Sequence, residues 1–84
     1  LFSLLMTALY KQQELRYESI LELGVAVGVF TLADDVRRIA QTLVALEDIC
    51  GIRMMQNDEG FDHAEGKRRV LAYARLATGV DLPE

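Results

Sequence analysis

The sequence is poor in the residues that cross-link a small domain. Its 84 residues include one cysteine, Cys50, and one histidine, His63. A single cysteine cannot close an internal disulfide, and this pair cannot supply the four ligands of a structural zinc site. A chain of this length buries only about 60–65% of the surface that it exposes when unfolded. We therefore expect its stability to depend on oligomerisation.

Long apolar runs and clustered positive charges are also scarce. The longest uncharged segments, 1–10 and 23–33, are shorter than the roughly 20 apolar residues of a membrane helix, so no span is predicted. The first segment has neither the basic leader nor the cleavage site of a signal peptide, and an unpaired cysteine suits a reducing compartment, which predicts a cytoplasmic protein. With a net charge of −4 and scattered basic residues, these residues are not expected to bind nucleic acid.

What the chain does have is hydrophobic residues, which make up 51% of it. They recur at spacings of three and four, and this periodicity predicts helices throughout. So many apolar residues in so small a body indicate apolar surface that a partner covers. The prediction is a single all-α domain, residues 1–84, built from three antiparallel helical segments. Because the chain begins with Leu1, we interpret it as a fragment of a longer protein.

The first segment carries an apolar stripe along one side. The stripe contains Phe2, Leu5, Met6, Leu9, Ile20, Leu23, Gly24 and Val27. In its middle stand Gln13 and Arg16, which we call the polar waist. This interruption predicts either one long helix or two helices that break near Lys11–Gln13. Gly28 is expected to end the segment in a left-handed conformation, and Asp34 to be the N-cap of the second helix.

The second helix, about residues 35–55, is apolar on two sides. One side has Val36, Ile39, Ala40, Leu43, Leu46, Cys50 and Met54, and the other has Ala45, Ile49 and Ile52. A helix that is apolar on both sides is buried on both sides. The third helix, about 63–78, is predicted to begin after the N-cap Asp62, with Glu65 at the capping-box position, and to end at Gly79. Its packing face consists of Gly66, Val70, Tyr73, Ala74 and Ala77.

Catalytic and cofactor motifs are not found on these helices. Gly24 and Gly28 lie in a helical pattern without the lysine of a phosphate loop. Ser3 and Ser19 have no spacing that pairs them with His63, and Cys50 lies on an apolar face, as small core residues do. We therefore predict no enzyme activity, no cofactor and no metal site.

Glu47 is the most informative carboxylate because it projects onto the apolar face of the second helix. Burial of an unpaired carboxylate costs several kcal/mol. Glu47 is therefore expected to pair with an arginine such as Arg16, to line a polar spot in a ligand cavity, or to lie at a solvent-exposed rim. The candidate ligand-binding residues are Glu47, Met6, Arg16, Leu43 and Met54. Methionines at helical spacing are also common as core residues.

Several short segments follow one another in a characteristic order. They are Gly24-Val-Ala-Val-Gly-Val-Phe30, Leu43-Val-Ala-Leu-Glu-Asp-Ile-Cys-Gly-Ile52, an acidic loop, Gly60-Phe-Asp62 and Arg68-Arg-Val-Leu-Ala-Tyr73. This order, over about residues 20–82, resembles the C-terminal part of TetR-family transcriptional regulators. Asp48 matches the family's aspartate and Gly51 its second glycine, whereas Ile49 stands where the first glycine is usual.

The resemblance implies a regulatory domain whose last two helices form a four-helix bundle with a second subunit. The residues expected at this homodimer interface are Ala45, Ile49, Ile52, Gly66, Val70, Tyr73, Ala74 and Ala77. The resemblance further implies a small-molecule effector and an N-terminal helix-turn-helix domain, outside these 84 residues, that binds DNA. The expected function is to relay effector binding to that domain. An alternative is a structural helical subunit that docks onto a different protein through the same apolar strip.

Overall fold

The computed structural model describes residues 1–56 and 62–80. In these ranges the chain forms three α-helices and no strand: α1 is Phe2–Ala26, α2 is Val36–Met55 and α3 is His63–Thr78. The all-α prediction is confirmed for this part of the chain. None of its helices combines the length and the apolarity that a membrane crossing requires.

The first segment is one continuous helix of 25 residues, without a break near Lys11–Gln13. At 1.5 Å per residue it is about 37 Å long. Its hydroxyl side chains bond within the helix: Thr7 donates to the carbonyl of Ser3, and Ser19 donates to that of Leu15. The polar waist therefore lies in the middle of a long helix and does not interrupt it.

The end of α1 is shaped by two glycines. The helix ends at Ala26, and Gly28 has the expected left-handed conformation with φ of 80°. The N–H groups of Val29 and Phe30 both donate to the carbonyl of Gly24, at 2.9 and 3.0 Å. This turn lays the Phe30 ring on Gly24, where a Cβ atom would collide with the ring. Gly24 thus provides the space in which the chain reverses toward α2.

The N-cap of α2 is Asp35, so the prediction of Asp34 was wrong by one residue. The Asp35 carboxylate accepts from the N–H groups of Arg37 and Arg38 at 3.1 and 3.3 Å. Asp34 instead accepts from the N–H of Asp35 and from the Arg38 guanidinium. Because the helix begins at Val36, the aspartate directly before it is the one placed to cap the first turn.

The boundaries of α3 agree with the prediction. Asp62 accepts a hydrogen bond from the N–H of Glu65 at 2.9 Å, and Gly79, with φ of 71°, ends the helix in the left-handed region. Glu65 also accepts from the Arg69 side chain one turn later, and that hydrogen bond holds the pKa of Glu65 below its usual value.

The core lies along α2, which packs against α1 on one side and α3 on the other. The buried cluster consists of Leu21, Ile39, Ala40, Leu43 and Ala77. The α1–α2 loop is fastened to the end of α3, because Thr31 donates to the Thr78 carbonyl and Ala33 to that of Ala77. Cys50 is buried, as expected of a core residue.

The molecule is flat. Its extents are 40 × 34 × 16 Å, and a helix with its side chains is about 10–12 Å thick. The radius of gyration is 13.9 Å, compared with about 12 Å for a compact domain of this length. A single layer of helices has two broad faces, and α2 buries Ile39, Ala40 and Leu43 against its own chain while Ala45, Ile49 and Ile52 remain exposed.

Candidate functional site

Several clefts lie between α1 and α2, and two of them meet at Gln13 of the polar waist. The first, of about 240 Å³, is lined by Gln13, Arg16, Tyr17, Ile20 and Glu47. The second, of about 290 Å³, is lined by Met6, Leu9, Tyr10, Gln13, Glu47 and Asp48. The two clefts share Gln13 and Glu47, and together we call them the α1/α2 groove. The structure thus brings together three of the predicted ligand-binding residues: Met6, Arg16 and Glu47.

The α1 residues of the groove follow helical spacing, at positions 6, 9, 10, 13, 16, 17 and 20. Residues three and four apart lie on one face of a helix, so α1 presents a single mixed face to the groove. Apolar side chains stand at its two ends and the polar waist in the middle. This explains why Gln13 and Arg16 occupy positions in an apolar stripe: they line a cleft.

The other two predicted ligand-binding residues, Leu43 and Met54, are not among the described side chains that line the groove. Leu43 is 5% exposed and belongs to the core, and it does not line the groove. The side chain of Met54 falls outside the described part of the structure. The floor of the groove is therefore supplied by Glu47 and Asp48 of α2.

Two tyrosines connect α1 to the carboxylates of α2. The Tyr17 hydroxyl donates to Glu47, and the Tyr10 hydroxyl donates to Asp48 at 3.1 Å. Within residues 1–56 and 62–80, no ion pair involves Glu47, Asp48 or Arg16. The alternative in which Arg16 pairs with Glu47 is therefore not realised, because a neutral hydroxyl binds this carboxylate instead.

These contacts shift the protonation equilibria of the groove. Partial burial raises the pKa of Glu47 above its ordinary value, because desolvation disfavours the charged carboxylate. The hydrogen bond to Asp48 raises the pKa of Tyr10, because loss of the phenolic proton would break that bond. Both tyrosine hydroxyls donate to a carboxylate and bring no positive charge to it.

The predicted interface residues divide into two groups. On α2, Ala45, Ile49 and Ile52 are exposed, with Ile49 50% and Ile52 42% accessible. On α3, Gly66 and Ala77 are buried within the single chain, and Val70, Tyr73 and Ala74 are partly buried against its core. The α2 group is therefore accessible to a second molecule, whereas the α3 group contributes mainly to packing inside the chain.

The groove contains residues that the sequence analysis did not select: Tyr10, Gln13 and Tyr17 of α1, and Asp48 as a groove residue. A signal for the tyrosines exists, since Tyr10 and Tyr17 are seven residues apart and so share the face of the polar waist. Their partners could not be found in this way. Each tyrosine bonds to a residue at least 30 positions away, which depends on how α1 and α2 align.

A further carboxylate is enclosed between α1 and α2. Glu18 is 12% exposed and lies 3.9 Å from the Arg37 guanidinium, and its second oxygen, Oε2, is buried without a hydrogen-bond partner. The described ranges contain no group of three or more histidine, cysteine, aspartate or glutamate side chains arranged to hold a metal ion.

Comparison of the chain with protein-family models, with curated proteins and with solved structures gives no match.

Proposed function

We propose that this chain is the ligand-binding and dimerisation domain of a TetR-like transcriptional regulator. In this proposal a small molecule binds in the α1/α2 groove, and its binding is relayed to a DNA-binding domain outside these 84 residues. The observation that carries the proposal is the exposed apolar strip of Ala45, Ile49 and Ile52 on α2. It lies on the same helix that supplies the groove carboxylates.

The strip supports a dimer because Ile49 and Ile52 remain exposed in the single chain, and Ala45 is exposed beside a cleft that α1 also lines. Residues 45, 49 and 52 follow one another at spacings of four and three, so they form one line on the helix. A second copy of the same line would cover it and thicken the single helical layer into two. In the proposed assembly, α2 and α3 of each subunit form a four-helix bundle, in which α2 makes the contacts between subunits and the apolar face of α3 packs on α2 of its own chain.

The arrangement of α2 also suggests how the relay works. Glu47 and Asp48 line the groove, and the next residue, Ile49, belongs to the strip. Successive residues of a helix can face different surfaces in this way because each one is rotated by about 100° from the last. A ligand that binds Glu47 more tightly in one position of α2 favours that position. The second subunit, seated on Ile49 and Ile52, then shifts with it. This is a population shift between two spacings of the subunits.

The oligomeric state of the chain tests the proposal. Sedimentation at micromolar concentration is expected to show a discrete dimer, and Ile49→Asp is expected to dissociate it, because the substitution places a charge in the apolar strip. Val29→Asp is the matched control: Val29 is similarly exposed, at 57%, but lies in the α1–α2 loop. Far-UV circular dichroism shows whether each variant remains helical.

Three results would contradict this assignment. A well-folded monomer would show that the strip is not a dimer seam. A dimer that Ile49→Asp leaves intact would place the interface elsewhere. An aggregating wild-type chain would favour the structural subunit that docks onto a different protein.

The coding sequence upstream of Leu1 tests the regulatory part independently. The proposal expects a basic three-helix segment with a helix-turn-helix pattern there. The 84 residues themselves carry a net negative charge and are not suited to bind operator DNA. A different kind of upstream domain would contradict the regulator and leave the dimer untouched.

A further inference from the structure

The cleft at the polar waist contains a cation and an anion that do not pair with each other. Arg16 and Glu47 line the same space of about 240 Å³. Among the described residues, no ion pair within 4.0 Å includes either side chain. The Glu47 carboxylate accepts from the Tyr17 hydroxyl, which is a neutral group. Both formal charges therefore remain available to a third molecule.

Such a pair is complementary to a ligand that carries both charges. The guanidinium group is planar and binds a carboxylate through two parallel hydrogen bonds. A carboxylate that is held by one hydroxyl still has lone pairs for an ammonium group. A ligand with one charge would bind one of these two exposed side chains and gain nothing from the other.

Apolar side chains lie toward the two ends of the groove. Ile20, which is 56% exposed, lies beside them in the first cleft, and Met6 and Leu9 line the adjoining cleft beyond Gln13. Ligand sites are commonly apolar with a few polar groups that fix the orientation of the ligand. The groove therefore offers opposite charges at its centre and apolar side chains toward its ends, where Met6 and Leu9 share the second cleft with the hydrogen-bonded pair of Tyr10 and Asp48.

We propose that the α1/α2 groove binds an α-amino acid with an apolar side chain. Its carboxylate binds Arg16, its ammonium group binds Glu47, and its side chain lies against Met6 and Leu9. This inference deepens the proposed function, on which it rests for the role of the amino acid as effector. The Gln13 amide, which lines both clefts, is positioned between the charged and apolar parts of the ligand.

A set of three probes tests the charges of the ligand. L-Leucine carries both charges, L-leucinamide lacks the carboxylate, and N-acetyl-L-leucine lacks the ammonium group. The chain has no tryptophan, and two of its three tyrosines line the groove, so tyrosine fluorescence reports binding. Leucine is expected to bind at least about ten-fold more tightly than either analogue.

The probes distinguish the alternatives. Equal binding of leucinamide would indicate a site for cations, and equal binding of N-acetyl-leucine a site for anions. Either result, or the absence of saturable binding of leucine, would overturn the proposal.

Two variants assign each charge to its residue. Arg16→Gln is expected to remove the preference for leucine over leucinamide and to keep the preference over N-acetyl-leucine. Glu47→Gln is expected to do the reverse. Lys11→Gln, which neutralises an exposed lysine of α1 outside the groove, is the control and leaves both preferences unchanged. If Arg16→Gln and Glu47→Gln weaken all three probes equally, the residues act through structure and the proposal fails.

The result can be separated from that of the proposed function. A dimer that does not bind leucine refutes the amino-acid inference alone. A monomer that binds leucine with the expected charge preferences refutes the dimer alone.

Discussion

At the scale of single residues, two of the helical glycines, Gly24 and Gly51, have opposite surroundings. A Cβ atom on Gly24 would collide with the Phe30 ring, whereas a Cβ atom on Gly51 would meet nothing within 4 Å. Both lie inside helices, where alanine is favoured over glycine by about 1 kcal/mol. At Gly24, packing therefore decides whether a substitution by alanine raises or lowers the stability of the chain. At Gly51, helix propensity decides it.

Gly24→Ala is thus expected to destabilise the chain by about 1–3 kcal/mol, since Phe30 must leave its place against the core. Gly51→Ala is expected to stabilise it by up to about 1 kcal/mol. Urea denaturation followed by circular dichroism measures both. Equal effects of the two substitutions would contradict the role assigned to the Gly24–Phe30 contact.

Glu47 makes stability depend on pH in a defined direction. Its pKa in the folded chain is raised, so folding disfavours the ionised form. The resulting loss of folding stability is present in full above the raised pKa of Glu47. It disappears once the pH falls below the ordinary pKa of a glutamate. Glu47→Gln keeps an acceptor for the Tyr17 hydroxyl and carries no charge. The variant is therefore expected to melt at a higher temperature than the wild type at pH 7.

Thermal melts over the acidic range check this expectation. The difference in melting temperature between Glu47→Gln and the wild type should shrink as the pH is lowered through the pKa of Glu47. A difference that stays constant over that range would indicate a packing effect instead.

At the scale of elements, the start of α2 depends on which of two adjacent aspartates is the N-cap. Asp35 bonds to two backbone N–H groups of the first turn, and Asp34 makes an exposed ion pair with Arg38. Caps of this kind stabilise by about 0.5–2 kcal/mol, and exposed pairs by less. Asp35→Ala is therefore expected to destabilise the chain more than Asp34→Ala. The two variants compared in urea test this order, and the reverse order would restore Asp34 as the cap.

At the scale of the whole molecule, the flat single layer explains why the chain is expected to melt in a concentration-dependent way. If the α2 strip forms a dimer, mass action raises the melting temperature as the protein concentration rises. Melts over an about 100-fold range of concentration are expected to show this rise for the wild type and for Val29→Asp. Ile49→Asp is expected to melt at a constant temperature. A constant value for the wild type would mean that the single layer is stable alone.

The sequence predicted what depends on neighbours along the chain. The helical periodicity, the Asp62 and Gly79 ends of α3 and the left-handed Gly28 all depend on patterns of a few residues. It could not predict the tyrosine–carboxylate contacts, because they depend on the alignment of α1 with α2. Periodicity shows that the Gly66 and Ala77 face is apolar. It does not show whether the same chain or a second one covers that face, and burial within the chain required the structure.

The bonds between the α1–α2 loop and the end of α3 have a consequence for the order of folding. The N–H groups of Thr31 and Ala33 are paired with carbonyls near the end of the described chain. Contacts between residues so far apart in sequence form late, because a long loop must close before they are gained. During synthesis, α1 and α2 leave the ribosome first, and the N–H groups of Thr31 and Ala33 cannot make these bonds until α3 emerges. The native loop conformation is therefore completed only after α3 has been made.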